Sequence, residues 1–186
     1  MSTASTTPAA LTTWKIDPAH SAAEFKVKHM MISNVKGKFS GLSGLLSLNE
    51  ADHLTASSVE AAIDVATIST GDPQRDGHLK SADFFDAEKF PTFTFKSVAV
   101  HQDAPGEVAV TGELTLHGVT RTATFAVEGP SAPAKDPWGN IRVGLSATAK
   151  INRKDFGLTW NSALETGGVL VGEEVTITLD VQFIKA

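Results

Sequence analysis

The chain of 186 residues contains no cysteine. This absence excludes disulfide bridges, thiolate metal sites and cysteine nucleophiles, although it does not fix the redox compartment of the protein. An excess of positive charge is also missing, because the formal net charge is −5 and the pI is about 5.6. The lysines are scattered along the sequence rather than clustered, so nucleic acid is not an expected partner.

Long apolar runs are missing as well. No stretch approaches the roughly 18 apolar residues of a membrane-spanning helix, so we expect a soluble protein with no integral membrane segment. Residues 1–12 lack the basic start and the apolar run of a secretion signal, which predicts a cytoplasmic location. Their Ser/Thr/Ala/Pro composition predicts a disordered tail. With 41% hydrophobic residues and no internal linker, residues 13–186 are expected to form a single domain.

Helical spacing is nearly absent from this domain, and apolar residues instead alternate with polar ones, as they do in half-buried strands. Examples are "SVEAAIDV", "EVAVTGELTLHG", "VTRTATFAVEG", "IRVGLSATAKI" and "EEVTITLDVQFI". Turn sequences such as "LHGVT" and "QDAPGE" separate these segments. About eight antiparallel strands are predicted, a number at which a closed barrel has room for its own side chains or for one ligand. A β-sandwich is the competing architecture.

One segment departs from the alternation, after the fourth strand region. Asp72 is a suitable N-cap, Pro73 suits the first helical position and Asp76 is an acidic residue in the first turn, so a short helix is predicted. Gly77 weakens this helix and Pro91 prevents its continuation. Five of the ten phenylalanines of the chain follow within "FFDAEKFPTFTF". We expect these rings to close one part of the barrel interior while the charged residues hold the segment from outside.

Four stretches together resemble the YceI-like family of lipid-binding proteins, also called polyisoprenoid-binding proteins. They are "WKIDPAHSAAEFKVKH", "RDGHLKSADFFDAEKFPTFTF", "GELTLHGVTR" and "DPWGNIRVGLSATAKINRKDFGL". The resemblance implies an extended, lipocalin-like, eight-stranded antiparallel barrel over residues 13–186, whose lumen holds a polyisoprenoid, an isoprenoid quinone or a fatty-acid derivative. It also implies binding, storage or transport without catalysis. Many members of the family carry a signal peptide, and its absence here favours an intracellular role.

The expected site follows from the apolar faces of the strands, because burying each methylene of a hydrocarbon chain contributes about 0.8 kcal/mol. The predicted lipid-binding residues are Phe25, Val27, Phe39, Ile63, Phe84, Phe85, Phe93, Phe95, Leu114, Ala123, Phe125, Leu145, Ala147, Ile177 and Leu179. The candidates for contact with a polar headgroup are His20, Arg75, His78 and Trp160. We expect no metal and no cofactor, a bound polyprenyl or acyl lipid as the ligand, and a monomer or a homodimer.

Several alternatives remain open at this point. The barrel could have a filled core and act as a stress-related interaction protein, or it could be an isomerase, cyclase or hydrolase that uses Asp76 and His78 as an acid–base pair. His20 and His29 lie nine residues apart, a spacing that does not favour metal chelation. His20 is expected to hydrogen-bond backbone at the barrel rim. Arg153 and Asp155 are expected to form an exposed ion pair of little energetic value.

Overall fold

The computed structural model describes residues 10–49 and 57–186. These residues form eleven strands and one α-helix, with short 3₁₀ turns between some of them. The strands are β1 (Leu11–Ile16), β2 (Ala22–His29), β3 (Ser33–Phe39), β4 (Leu42–Asn49), β5 (Ser58–Asp64), β6 (Thr92–Ala104), β7 (Glu107–Leu116), β8 (Val119–Glu128), β9 (Ala134–Lys135), β10 (Ile141–Asn152) and β11 (Val171–Lys185). The helix, α1, is Pro73–Lys80 and lies between β5 and β6.

The sheet closes into a barrel through β11. The strand order is β3-β2-β11-β1-β4-β5-β6-β7-β8-β10-β9, and β11 also pairs with β10. Both β1 and β2 pair with β11, so they act as one long strand interrupted by the 3₁₀ turn Pro18–His20. In the same way β3 and β4 pair with β2 and β1, respectively. Every pairing is antiparallel, and the predicted eight-stranded antiparallel barrel with one short helix is confirmed.

The alternation of the sequence determines which side chains enter the barrel. In β8 the side chains of Ala123, Phe125 and Val127 are buried, whereas their neighbours Thr124 and Ala126 are exposed. Because side chains of a strand point to opposite faces in turn, a single apolar row in each strand is enough to build one continuous interior. Apart from Phe84, the buried apolar residues accordingly form one hydrophobic cluster. Every strand of the closed barrel contributes to it except β5, whose inward residues are partly buried and pack against it.

Glycines allow close contacts at two points, one within β3 and one between β3 and β4. The Phe25 ring lies over Gly37, where an added Cβ would come within 2.4 Å of the ring. Between β3 and β4 the amide nitrogens of Ser40 and Gly41 lie within hydrogen-bonding distance of the Thr67 hydroxyl, at 3.3 and 3.1 Å. The chain therefore leaves the line of β3 at this point and resumes as β4.

Helix α1 begins as its sequence predicts. The Asp72 carboxylate accepts hydrogen bonds from the amide nitrogens of Gln74 and Arg75, at 2.9 and 3.2 Å, and Pro73 occupies the first turn. No residue of α1 is fully buried, so the helix lies across the barrel as a cover rather than as part of the core.

The predicted boundary of the N-terminal tail differs from the observed start of the fold. Strand β1 begins at Leu11, so Leu11 and Thr12 belong to the barrel, where they pair with Asn49 and Leu48 of β4. Residues 1–9 of the predicted tail lie outside the described residues. Among the helices that the structure describes, none combines the length and the apolar character needed to cross a bilayer.

Candidate functional site

The barrel encloses an elongated cavity of about 370 Å³. This volume falls in the range of roughly 300–1,000 Å³ that is usual for ligand pockets. Inward-facing residues of β5, β6, β7, β10 and β11 line it, together with residues of β2 and β4. Nearly all of these side chains are aliphatic or aromatic, so the cavity offers a ligand an apolar surface along most of its length.

The cavity follows strand β11 almost from end to end. Its lining on this strand runs from Val171 to Phe183, a distance of about 40 Å along the strand at roughly 3.3 Å per residue. In the middle of β11 the inward residues Val175, Ile177 and Leu179 are only half-buried, because part of their surface faces the open lumen. A barrel with a filled core would bury these residues completely.

Fourteen of the fifteen residues predicted to bind lipid line this cavity, and Ala123 is the exception. Ala123 lies opposite Gly112 in the pairing of β7 with β8. An added Cβ at Gly112 would meet the Phe95 ring at 2.5 Å, and the centroid of that ring is 5.1 Å from the centroid of Phe125. Ala123 is therefore not among the lining residues, because the Phe95 ring occupies the space next to these two small residues.

A cluster of aromatic rings lines the end of the cavity nearest α1. The Phe39 ring is the centre of this cluster, with ring centroids of Phe25, Phe85 and Phe93 at 5.9, 6.1 and 5.5 Å. Most of these pairs are edge-to-face, an arrangement that the charge distribution of aromatic rings favours. The predicted closing segment therefore does line the lumen, although Phe90 packs outside it against His117, with centroids 4.9 Å apart.

Three of the four predicted headgroup residues meet at this same end. Arg75, His78 and Trp160 all line the cavity, and the His78 ring packs edge-on against Trp160 at 4.9 Å between centroids. Trp160 therefore lies at the cavity, whereas Trp138 is 81% exposed in the loop before β10.

The polar side chains at this end are held by hydrogen bonds within the protein. Arg75 donates from Nε and Nη2 to the Thr70 hydroxyl and carbonyl oxygens, at 2.8 and 3.0 Å. Asp76 accepts from the amide and hydroxyl of Thr70, at 2.8 and 2.6 Å, whereas His78 Nε2 lies 2.9 Å from the Asp83 carboxylate. Asp76 and His78 thus have different partners and do not form the acid–base pair that was considered as an alternative.

Arg153 is a lining residue that the sequence did not predict. It is 4% exposed, and its guanidinium donates to the carbonyl oxygens of Gly172, Leu158 and Val171 at 2.7, 2.6 and 3.3 Å. Among the described residues it has no carboxylate in ion-pair contact, because nearby Glu173 pairs with Lys154. Burial lowers the pKa of Arg153, and the Glu173 charge opposes that decrease.

The predicted exposed pair of Arg153 with Asp155 is therefore wrong. The sequence "NRKDFGL" reads as a surface turn, but the segment from residue 157 to 172 folds back and surrounds the guanidinium with backbone carbonyls. Arginine tolerates such an environment because it stays protonated and has five donors that carbonyl oxygens can accept. A buried cation without a carboxylate partner at the wall of a cavity is the arrangement that sequence spacing alone did not reveal.

His20, the fourth headgroup candidate, lies away from the cavity. It belongs to the 3₁₀ turn between β1 and β2, and its Nδ1 is 2.8 Å from the Asp17 carboxylate rather than at a backbone group. The second histidine of that strand, His29, does line the cavity. The 3₁₀ turn breaks the alternation, so counting residues from His29 does not give the position of His20.

Asp17 also takes part in an ion-pair network outside the cavity. Arg142 donates to the carboxylates of Asp17 and Asp136 at 2.6 and 2.7 Å, and so ties the β1–β2 bend to the loop before β10. The hydrogen bonds from Arg142 and His20 lower the pKa of Asp17 to about 2. Burial opposes the same change at Asp136, but the hydrogen bonds from Arg142 and Asn140 outweigh it and lower the pKa of that carboxyl as well.

Comparison with known proteins agrees with this geometry. The family model for the YceI-like domain matches residues 14–183. The chain belongs to the YceI-like family. A curated relative, the UPF0312 protein SA2479 of Staphylococcus aureus, is 37% identical over 174 residues, which are 93% of this chain and 98% of that protein.

Solved structures of YceI-like and related proteins share the barrel. BcnA of Burkholderia cenocepacia matches with a TM-score of 0.75 and 26% identity, over 90% of this chain and 98% of that chain. A polyisoprenoid binding domain from Saccharophagus degradans, implicated in plant cell wall breakdown, matches with a TM-score of 0.65 and 18% identity, over 95% of this chain and all of that chain. The second likeness concerns the fold alone.

Proposed function

We propose that this YceI-like protein binds a long-chain amphiphile, such as a polyisoprenoid, an isoprenoid quinone or a fatty-acid derivative, in the lumen of its barrel. The observation that carries this proposal is the apolar cavity of about 370 Å³ whose wall follows β11 from Val171 to Phe183. The name of the polyisoprenoid binding domain with the same fold supports the same class of ligand.

The shape and chemistry of the cavity favour a chain over a compact polar ligand. A dozen methylene groups buried at about 0.8 kcal/mol each give roughly 10 kcal/mol of gross stabilisation, from which the costs of ordering and immobilising the ligand are subtracted. This contribution grows with the length of the chain and depends little on its branching. We therefore expect affinity to follow chain length and selectivity among hydrocarbon chains to be low.

The polar group of the ligand would lie at the α1 end, near Arg75, His78, Arg153 and Trp160, which all line the cavity there. Arg75 uses Nε and one N–H of Nη2 for Thr70, so within the described residues Nη1 and the second N–H of Nη2 are left for a ligand. Arg153 adds a buried positive charge. Two guanidinium groups suit a phosphate, a carboxylate or a quinone oxygen, since each of these accepts hydrogen bonds.

The arrangement of the polar residues at this end of the cavity favours binding of a ligand without a chemical step. Among the described residues, none of Arg75, His78, His29 and Arg153 hydrogen-bonds to another member of that set. Arg75 and His78 are held by partners in their own segment, and Arg153 is held by backbone carbonyl oxygens that include Gly172 of β11. General acid–base catalysis needs a base within hydrogen-bond reach of the proton that it removes and oriented by a further group. These residues are placed to orient a ligand, and no relay connects them.

Native mass spectrometry of the purified protein tests the proposal. We expect a mass above that of the polypeptide, loss of the excess after extraction with organic solvent, and an amphiphile with a long apolar chain in the extract. The extracted protein should take up an added fatty acid such as cis-parinaric acid, with an increase in its fluorescence. A protein that carries no excess mass and takes up no amphiphile would refute the proposal.

A further inference from the structure

We propose that the tip of the β2–β3 hairpin docks the protein on an anionic lipid bilayer. The tip consists of Met30, Met31 and Ile32, and these side chains are 44%, 60% and 77% exposed. Together with Val169 of the neighbouring loop, which is also exposed, these side chains form an apolar surface at one end of the barrel. The other outward residues of the barrel are mainly polar. This inference concerns the outer surface of the protein and goes beyond ligand binding in the lumen.

The backbone of the tip is held in a conformation that methionine does not favour. Met30 and Met31 have φ angles of 51° and 63°, and the Ile32 amide donates to the His29 carbonyl oxygen at 3.2 Å. Two successive residues with positive φ form a turn in which Asn and Gly are the usual residues. Left-handed conformations disfavour residues other than Gly, Asn and Asp, because their Cβ comes too close to the backbone, so stability of the turn does not explain two methionines at these positions.

Basic residues follow this apolar tip along the outer face of the hairpin. The pairing of β2 with β3 places Lys26 opposite Lys36 and Lys28 opposite Asn34. Lys38 lies farther along β3, opposite Glu24. All four lysines are exposed, and none forms an ion pair with a described carboxylate. Scattered in the sequence, they are brought together by the register of the two strands.

The charge of this face differs in sign from that of the whole protein. Four lysines and one glutamate give the hairpin a formal charge of +3 in a chain of formal charge −5. The acidic pair on the adjoining part of β11, Glu173 and Glu174, is neutralised by Lys154 and Lys150. An anionic bilayer is the partner that such a surface fits, because its lipid headgroups attract lysines while its acyl region accepts the apolar tip.

The docking surface is continuous with the polar end of the cavity. His29 directly precedes the tip and lines the cavity. The Met30 amide donates to the carbonyl oxygen of Leu170 at 2.7 Å, and Leu170 also lines the cavity. A protein docked in this way would present the end that contains Arg75, Arg153 and Trp160 to the membrane, where amphiphiles enter and leave.

Sedimentation with large unilamellar vesicles tests the proposal. We expect binding to vesicles of 70% phosphatidylcholine and 30% phosphatidylglycerol, and weaker binding to pure phosphatidylcholine. Binding should be lost when NaCl rises from 0.1 to 1 M, because the screening length falls from about 10 to about 3 Å. Replacing Lys26, Lys28 and Lys36 by Gln should weaken binding more than tenfold, since each basic residue near an anionic surface contributes about fivefold. Gln at Lys15, Lys96 and Lys135, which are exposed and lie outside this face, makes the same change in net charge and should leave most of the binding intact.

The apolar anchor is tested by the variant Met30→Asn/Met31→Gly/Ile32→Ser. This variant removes the apolar side chains and gives the turn its preferred residues. The Tm of the variant should therefore be equal to or above that of the parent, while its partition coefficient onto anionic vesicles should fall tenfold or more. Val98→Ser, at a residue 65% exposed on β6, is the matched control. Both variants should still bind cis-parinaric acid in solution, which separates failure of docking from failure of the lumen.

Three results would overturn the proposal. The first is that the parent protein does not bind anionic vesicles, and the second is that the tip variant binds them as well as the parent does. The third is that the tip variant changes oligomeric state while neither protein binds vesicles. The last result would show that the tip contacts a second copy of the chain.

Discussion

A tryptophan at position 177 should block the lumen while leaving the barrel folded. Ile177 lines the cavity and is half-buried in the middle of β11, opposite Ala149 of β10 and Phe25 of β2. A ring that crosses the lumen here would stop a bound chain at this point. If about six methylene groups lose their place, at about 0.8 kcal/mol each, the loss of binding is about 5 kcal/mol. Such a loss corresponds to an increase in Kd of about three to four orders of magnitude.

The stability of the same variant tests whether the interior is hollow. In a filled core the extra atoms would cost about 1–3 kcal/mol through strain, whereas in an open lumen they would add apolar contacts and leave the urea midpoint nearly unchanged. Thr178→Trp is the control, because Thr178 is exposed on the outer face of the same strand. Titration with cis-parinaric acid gives the Kd of each variant. An Ile177→Trp protein that folds and binds as tightly as the parent would refute the assignment of this row to the ligand.

Two further predictions concern residues that hold the barrel ends. Asp17→Asn should flatten the dependence of stability on pH between pH 4 and pH 2. The pKa of the Asp17 carboxyl is about 2 in the folded protein against an ordinary 3.8, so this group stabilises the fold above pH 3.8 and loses that contribution as the pH falls. Urea unfolding at several pH values measures the effect, and an unchanged slope of stability against pH would contradict the prediction. Arg153→Leu should lower the free energy of unfolding by about 3 kcal/mol, since three carbonyl oxygens lose a charged donor. Arg153→Lys should recover only part of this loss, because a single ammonium cannot reproduce the planar fork; full recovery in urea unfolding would contradict the role of the guanidinium.

Local patterns of the sequence were sufficient to predict the elements of the fold. The inward row of β11 follows from strict alternation, and the start of α1 follows from the side chain of Asp72 and the fixed φ of Pro73. These features depend on residues close in sequence, where the geometry of the backbone decides the outcome. Barrel closure needed the further information that eight strands of this kind are consistent with one closed sheet.

The parts that the sequence did not predict depend on contacts between distant segments. Arg153 is buried because a loop 5 to 19 residues away brings three carbonyl oxygens to its guanidinium, and no local pattern marks that return of the chain. Ala123 faces inward as expected, but the Phe95 ring occupies the neighbouring space. The cluster of hairpin lysines likewise depends on the register of β2 with β3, which places Lys26 beside Lys36.

The position of the polar residues at the α1 end bears on how the proposed ligand would be selected. The inward rows of the strands are apolar, and Arg75, His78 and Arg153 all lie at the α1 end of the lumen. Each of the three already has protein partners, so a headgroup gains only the remaining donors, whereas the hydrocarbon chain gains the whole wall. The chain should therefore determine affinity, and the headgroup should determine which end of the ligand remains at the α1 end. A truncated ligand with the same headgroup would then bind much more weakly than a long chain with a different one.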